Sequence, residues 1–369
     1  MMRISGKQEA TAYGCIQSNN DMIYVRVQYI ILHTSYYTTH ITQILFKKLH
    51  TTMKIVILDA YTVDQGELSW GELDRLVEVE AYERTAPEDI VKRCKNAEMV
   101  LTNKAVLNAS ILNKLPRLQY IGVLATGYNV VDLEAANRQN IVVTNIPAYS
   151  TESVAQMVFC HLLNIVGRTD YYAQENRKGR WSHCADFCYL DHNLFELYGK
   201  RMGIIGLGNT GMATARIAAA FGIKVFAFTS KDEEELPYGI KKMDMDTLFE
   251  TCDIISLHCP LNDKTHHLVN SERLATMKPD AILINTGRGP LVDDNALADA
   301  LNNNVIAAYG TDVLTVEPAE ENNPLLHAKN CYITPHIAWA TNEARQRLIN
   351  ICVENVRAYL DGEPINQVN

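Results

Sequence analysis

Residues 200–216 leave the chain around them little choice of architecture. Lys200-Arg201-Met202-Gly203-Ile204-Ile205 reads as a buried strand, Gly206-Leu207-Gly208-Asn209-Thr210-Gly211 follows without a break, and Met212-Ala213-Thr214-Ala215-Arg216 continues as a helix. In such a strand–turn–helix, Gly206 permits the tight turn, Gly208 lets a pyrophosphate approach the backbone, and Gly211 allows close helix packing. Asn209 and Thr210 open a helix whose N-terminus faces the anion. With another strand following at Lys224-Val225-Phe226-Ala227-Phe228, the expectation is a dinucleotide site rather than a merely structural glycine turn.

The remainder of the chain supports a sheet of this kind on both sides of the turn. From Met53, short β-branched runs alternate with helical stretches, as parallel strands joined by crossover helices require. Strands are expected at 54–58, 98–102, 119–123 and 141–144, with helices over Ser69–Leu76, Pro87–Cys94, Ala109–Leu115 and Val131–Asn140. A long helical run, Thr151–Lys178, leads through an aromatic-rich loop, Gly179–Tyr198, to a second alternation. Its strands are expected at 202–205, 224–228, 253–257, 281–284 and 306–310, with helices at 210–221, 244–250, 271–277 and 293–302. Asn342–Leu360 carries apolar residues at helical spacing and is expected to pack back on the first part of the chain. The fold class is therefore α/β with two doubly wound domains. Residues 1–52 read differently, rich in Tyr, Thr, His and Ile. Met53 opens the strand-like MKIVILDA, so translation is expected to start there and 1–52 to be an extension outside the fold, the alternative being a genuine extra segment.

Composition narrows the function classes. With 34 Lys+Arg against 43 Asp+Glu and a formal net charge of -9, the chain has no basic footprint for a nucleic acid. No window approaches the about 18 consecutive apolar residues of a membrane helix. Nine cysteines, an odd number without a CxxC pair, fit reduced thiols in a cytoplasmic protein, and no spacing suggests a metal site.

The cofactor's identity stays open in the sequence. Where an NAD site usually places Asp or Glu on the ribose hydroxyls, this chain has Thr229, followed by Ser230 and Lys231, which suit a 2′-phosphate. Asp232 lies close enough to supply the carboxylate through a longer loop. Both NAD(H) and NADP(H) are kept.

Three further patterns each follow the carboxyl end of a strand: Asn285-Thr286-Gly287-Arg288-Gly289, Gly310-Thr311-Asp312-Val313 with Glu317-Pro318, and Thr334-Pro335-His336-Ile337-Ala338-Trp339. That edge is where open α/β sheets bind ligands. Hydride arriving at a ketone carbon leaves negative charge on oxygen. His336 is the candidate proton donor, Glu317 the partner that favours its charged form, and Arg288 the planar fork for a carboxylate and carbonyl. Taken singly, Arg288 would be a solvated cation, Glu317 a helix-start acid and His336 a buried core histidine.

In this order after a dinucleotide turn, the motifs resemble the D-isomer-specific 2-hydroxyacid dehydrogenase family from Met53 to about Leu360. The resemblance implies a catalytic triad of Arg288, Glu317 and His336, with Asp312 on the nicotinamide carboxamide and Cys259, Pro260 and Thr286 on the cofactor wall. It implies a Rossmann cofactor domain (154–334) inserted into a flavodoxin-like substrate domain (53–153 and 335–369), with the site in the cleft between them. In Leu124-Ala125-Thr126-Gly127-Tyr128-Asn129, the Thr126 and Gly127 amides would hold the substrate carboxylate. Trp339 would either shape a small pocket or fill the domain junction. With the Trp181–Tyr198 loop, these stretches resemble family members that act on hydroxypyruvate, although Leu190 stands where relatives often carry a second aromatic. The implied reaction is hydroxypyruvate to D-glycerate, with glyoxylate to glycolate as a side reaction, in a homodimer. The alternatives are another D-2-hydroxyacid dehydrogenase or a nicotinamide-sensing corepressor on the same scaffold.

Overall fold

A computed structural model describes residues 53–237 and 239–369. The expectations for 1–52 lie outside the described residues. Backbone contacts divide the chain into two units, residues 53–123, 129–144 and 353–369 in the first and 124–128 and 145–352 in the second.

The first unit is built on five parallel strands, β1 (Lys54–Ile57), β2 (Glu78–Ala81), β3 (Met99–Thr102), β4 (Tyr120–Val123) and β5 (Val142–Thr144), in the order β2-β1-β3-β4-β5. This is the flavodoxin-like order. β3 and β4 are buried along their whole length, which is why they read as unbroken apolar runs, each fully buried Ile, Leu or Val contributing about 1.5 to 3 kcal/mol. β2 is an edge strand whose Glu78-Val79-Glu80-Ala81 is not buried, and sequence periodicity missed it. Ser69–Leu76 is not the expected helix but a series of turns, among them Leu73 N–H to Trp70 O at 2.8 Å and Leu76 N–H to Leu73 O at 2.9 Å. Gly71 and the stretch's small number of apolar anchors leave no stripe to bury.

A buried acid organises the carboxyl edge of this sheet. Asp59, directly after β1, accepts the amides of Asn103 (2.8 Å), Lys104 (2.6 Å) and Ala105 (3.0 Å), tying down the loop that follows β3. Asp59→Ala leaves those three donors unpaired. Equilibrium urea unfolding should show the first unit destabilised by about 3 kcal/mol, and a change under about 0.5 kcal/mol would mean that water replaces the carboxylate freely.

The second unit holds seven parallel strands: β6 (Arg201–Ile205), β7 (Lys224–Phe228), β8 (Ile240–Lys242), β9 (Ile254–Leu257), β10 (Ile282–Asn285), β11 (Ala308–Thr311) and β12 (Cys331–Ile333). Their order, β12-β11-β10-β9-β6-β7-β8, is the doubly wound Rossmann arrangement, with its switch point between β6 and β9. β8 and β12, the two edges, went unread in the sequence because only part of each is covered. The run 151–178 is two helices, Thr151–Gly167 and Thr169–Arg177, broken at Arg168, whose φ of 50° is left-handed.

Ile146 N–H bonds to Ala125 O, Ser153 Oγ to Ala338 O, and Arg347 Nε to Tyr149 O, so 145–153 and 335–352 belong with the seven-stranded unit. The helix Asn342–Leu360 starts in the second unit and ends in the first, where the Tyr359 ring lies 4.7 Å from that of Tyr120. Beyond it, Val368 N–H bonds to Val143 O and the Asn369 side chain accepts from Val143 N–H, covering the free side of β5. Among the described residues no helix is long and apolar enough to cross a membrane, and no cluster of side chains could hold a metal ion.

Candidate active site

All the chemistry-bearing motifs of the second unit sit at the carboxyl edge of its sheet, as their positions after successive strands require. After β6, Gly206 turns the chain at φ 95°, and a side chain there would meet the backbone of His258 and Cys259 at 2.7 Å. A Cβ on Gly211, in the helix Asn209–Ala220, would lie 2.1 Å from the Gly206 carbonyl. Around Gly208, by contrast, there is open space. Gly206 and Gly208 share a cavity of about 360 Å³ with Thr229, Ser230 and Lys231 after β7 and with Cys259 and Pro260 after β9. Asn209 and Thr210 form the first turn of the helix beside it.

The arrangement fits a dinucleotide. A backbone stripped of side chains abuts the cavity, and a helix of 12 residues begins at its edge. Thr286, buried after β10, has a hydroxyl with no hydrogen-bond partner in the protein, a donor left over for a ligand.

The loop after β10 carries Arg288 on a braced support. Asn285 accepts the Gly287 amide (3.0 Å) and donates to the Arg288 carbonyl (2.9 Å), while the Arg288 guanidinium bonds to the Gly287 carbonyl (2.8 Å) and is otherwise exposed. At Gly289 a Cβ would come within 2.0 Å of the Leu314 carbonyl, so this loop lies directly on the one leading to Glu317. Arg288 also neighbours Tyr149, whose hydroxyl is pushed up to about 12 by burial, with the guanidinium pulling the other way. The Tyr149 ring stands edge-on to Trp339 at 6.5 Å.

Glu317 holds the imidazole by a two-point tether. One carboxylate oxygen accepts the Leu314 amide at 3.1 Å, and the other pairs with His336 Nδ1 at 2.5 Å. That leaves Nε2 for a further partner, and about a third of the His336 side-chain surface, 34%, is exposed to receive one.

His336 adopts a left-handed backbone, φ 54°, which costs free energy for any residue with a Cβ. Asp312 keeps it there. The Asp312 carbonyl accepts the His336 amide (2.8 Å), and its carboxylate, 1% exposed, accepts the Thr334 hydroxyl (2.6 Å) and the amides of Ile337 (2.9 Å) and Ala338 (2.7 Å). Both carboxylate oxygens thus serve the 334–338 loop. Behind Thr334 lies His161, its Nε2 at 3.1 Å from the Thr334 hydroxyl. Burial holds this imidazole below its ordinary value, against the pull of Asp312, and because the Thr334 hydroxyl donates to Asp312, Nε2 is the donor of the pair.

Arg288, Trp339, Glu317 and His336 therefore converge on adjoining loops. Thr126 and Gly127 belong to a separate turn, where Thr126 bonds to Ile146 O (2.9 Å) and Asn145 to Thr126 O (2.8 Å). No hydrogen bond or ion pair among the described residues joins them to Arg288 or His336. Sequence reasoning missed Asn285, Thr334 and Tyr149 as parts of the site, and treated His161 only as one apolar-face position of a helix. The first two stand inside the quoted motifs, so their place at a strand end was the available signal.

A seven-stranded doubly wound sheet with an Arg, a carboxylate-tethered His and a dinucleotide turn on one edge defines a nicotinamide-dependent oxidoreductase. Residues 159–338 match the family model for the D-isomer specific 2-hydroxyacid dehydrogenase, NAD binding domain. The chain is 44% identical over 321 residues to a hydroxypyruvate reductase of Blautia hydrogenotrophica, covering 86% of this chain and 100% of the relative. It is 39% identical over 320 residues to a glycerate dehydrogenase of Methylorubrum extorquens (86% and 99%). Among solved structures, the TT0316 protein of Thermus thermophilus superposes with a TM-score of 0.77 at 34% identity, covering 86% of this chain and 100% of that one. The chain belongs to the D-isomer-specific 2-hydroxyacid dehydrogenase family.

Proposed function

We propose that this chain is a glycerate dehydrogenase working as a hydroxypyruvate reductase, converting hydroxypyruvate to D-glycerate, with glyoxylate to glycolate as a side reaction. The observation that carries the reaction type is the 2.5 Å pair of His336 and Glu317 beside the Arg288 loop. The substrate rests on the likeness to a hydroxypyruvate reductase and a glycerate dehydrogenase over nearly their whole length.

When bound, a reduced nicotinamide dinucleotide would supply the hydride. The Arg288 fork holds the 2-oxoacid by its carboxylate and carbonyl oxygen, with the Thr126 and Gly127 amides as further carboxylate donors, and polarises the carbonyl for attack. Protonated His336 gives its Nε2 proton to the oxygen as charge develops there, while Glu317 keeps Nδ1 engaged and stabilises the imidazolium. In the reverse direction neutral Nε2 accepts the hydroxyl proton. Trp339 and Tyr149 wall the substrate side. Gly206, Gly208, Asn209, Thr210, Gly211, Thr229, Ser230, Lys231, Cys259, Pro260, Thr286 and Asp312 would hold the cofactor, and Asp312 also fixes the loop of His336. In this reading 154–334 is the dinucleotide-binding part, and 53–153 with 335–369 is the substrate part. The protein works as a cytoplasmic homodimer, a state supported by the exposed apolar side chains of Phe187, Leu190 and Tyr198 on one loop of the second unit.

The test follows loss of reduced-nicotinamide absorbance with hydroxypyruvate, glyoxylate, pyruvate and 3-phosphohydroxypyruvate, each with NADH and NADPH. Fastest turnover on hydroxypyruvate is expected, and a higher kcat/KM on any of the others overturns the substrate assignment. Arg288→Lys keeps the charge and loses the fork. Its KM for the oxoacid should rise about tenfold or more, with the cofactor KM little changed, whereas an unaltered oxoacid KM removes Arg288 from the substrate site.

A further inference from the structure

We infer that the cavity at the end of β7 is built for an adenosine carrying a phosphate on its 2′-oxygen, so that this chain selects the 2′-phosphorylated dinucleotide over the unphosphorylated one. The inference rests on the dinucleotide reading of that cavity and adds to it a preference.

A free ribose is usually gripped here by a carboxylate at the end of the second strand, whose two oxygens accept from the 2′- and 3′-hydroxyls. Thr229 occupies that place, and its hydroxyl already accepts the Lys231 amide at 3.2 Å. The nearest carboxylate is Asp232, and the fold has given it other work. Its side chain accepts the Glu235 amide while its own amide donates to the Glu235 carboxylate at 2.8 Å, a reciprocal cap that closes the turn Glu233–Glu235. None of Asp232, Glu233, Glu234 and Glu235 lines the cavity. The longer-loop route to a ribose carboxylate, open on sequence grounds, would require that cap to be dismantled.

What the cavity presents in place of a carboxylate is cationic. Ser230 and half-buried Lys231 line it. A second amine arrives from the neighbouring strand: Lys242, in register with Ala227 of β7, places its Nζ 2.6 Å from the Lys231 carbonyl. That partner is neutral, and among the described residues neither lysine has an ion pair, so the Lys231 ammonium on the cavity wall is free to meet an anion. One ammonium group and a hydroxyl on the rim, a second ammonium held against the Lys231 backbone behind it, and the local acids turned into a cap match a phosphate and give a vicinal diol no carboxylate.

The experiment measures equilibrium binding to the full chain by calorimetry, with adenosine 2′,5′-bisphosphate and AMP as probes, which need neither nicotinamide nor turnover. The bisphosphate should bind about tenfold or more tightly than AMP, as expected for one additional charge-assisted hydrogen bond. In Lys231→Ala that gap should collapse while AMP still binds, AMP binding serving as the control for an intact fold. Lys242→Ala should narrow the gap by less. Equal affinity for the two probes in the unaltered chain overturns the inference, as does a Lys231→Ala variant that weakens both probes alike. The outcome is separable from that of the reaction. Equal binding with brisk hydroxypyruvate reduction removes the phosphate subsite alone; a large gap without oxoacid turnover keeps the subsite and removes the assigned activity.

Discussion

In His336→Asn, hydroxypyruvate reduction should fall by about a thousandfold while the dinucleotide still binds. Asparagine is the informative replacement because the position is left-handed, φ 54°, and Asn tolerates that conformation better than most residues. Its amide can still donate to the Asp312 carbonyl, so the loop keeps its course. What disappears is an ionisable ring with one nitrogen on Glu317 and the other directed elsewhere. Single-turnover rates with cofactor in excess isolate the chemical step, and fluorescence of the bound reduced nicotinamide reports binding. A variant within tenfold of the parent rate would end the proton-donor assignment. A Glu317→Gln change should act in the same direction and less severely, since a neutral amide can still accept a hydrogen bond from Nδ1 but stabilises the imidazolium less.

The second large effect is expected one residue-layer away. Asp312→Ala strips the 334–338 loop of the buried acceptor for two amides and a hydroxyl, the Ala338 amide among them being buried as well. Unpaired buried donors of this kind cost about 1 to 3 kcal/mol each, and the strained His336 backbone loses the contacts that hold it. Thermal unfolding of the second unit should start at lower temperature, and kcat should fall about a hundredfold with a smaller change in the oxoacid KM, because Arg288 is braced separately by Asn285. Lowered stability with an undiminished kcat would show that the loop finds its catalytic shape without Asp312.

Legibility in the sequence followed burial. β3, β4, β9 and β10 are covered on both faces, so they must be apolar throughout and announce themselves. β2, β8 and β12 lie at sheet edges, where Glu80, Lys242 and Tyr332 are acceptable and no pattern survives. The break at Arg168 was hidden because helix formers stand on both sides of it and the left-handed residue is not a glycine. Of the site, the residues that end strands were legible: Gly206, Arg288 and His336 follow β6, β10 and β12, and the carboxyl edge of an open sheet collects whatever stands there. The supports were not. That Asp312 spends its carboxylate on the loop bearing His336, that His161 backs Thr334, and that Asp232 is locked into a cap all depend on partners met only in three dimensions.

The return of the chain to the first unit through residues 353–369 bears on how the molecule is made. On the ribosome, β1 to β5 emerge early, yet the free side of β5 awaits Val368 and Asn369, some 226 residues after Val143. The whole seven-stranded unit is synthesised in that interval and has its own strands, crossovers and core. The earliest-made part of the described chain is therefore among the last to be finished, and in a growing polypeptide it carries an unpaired strand edge of the kind that chaperones cover.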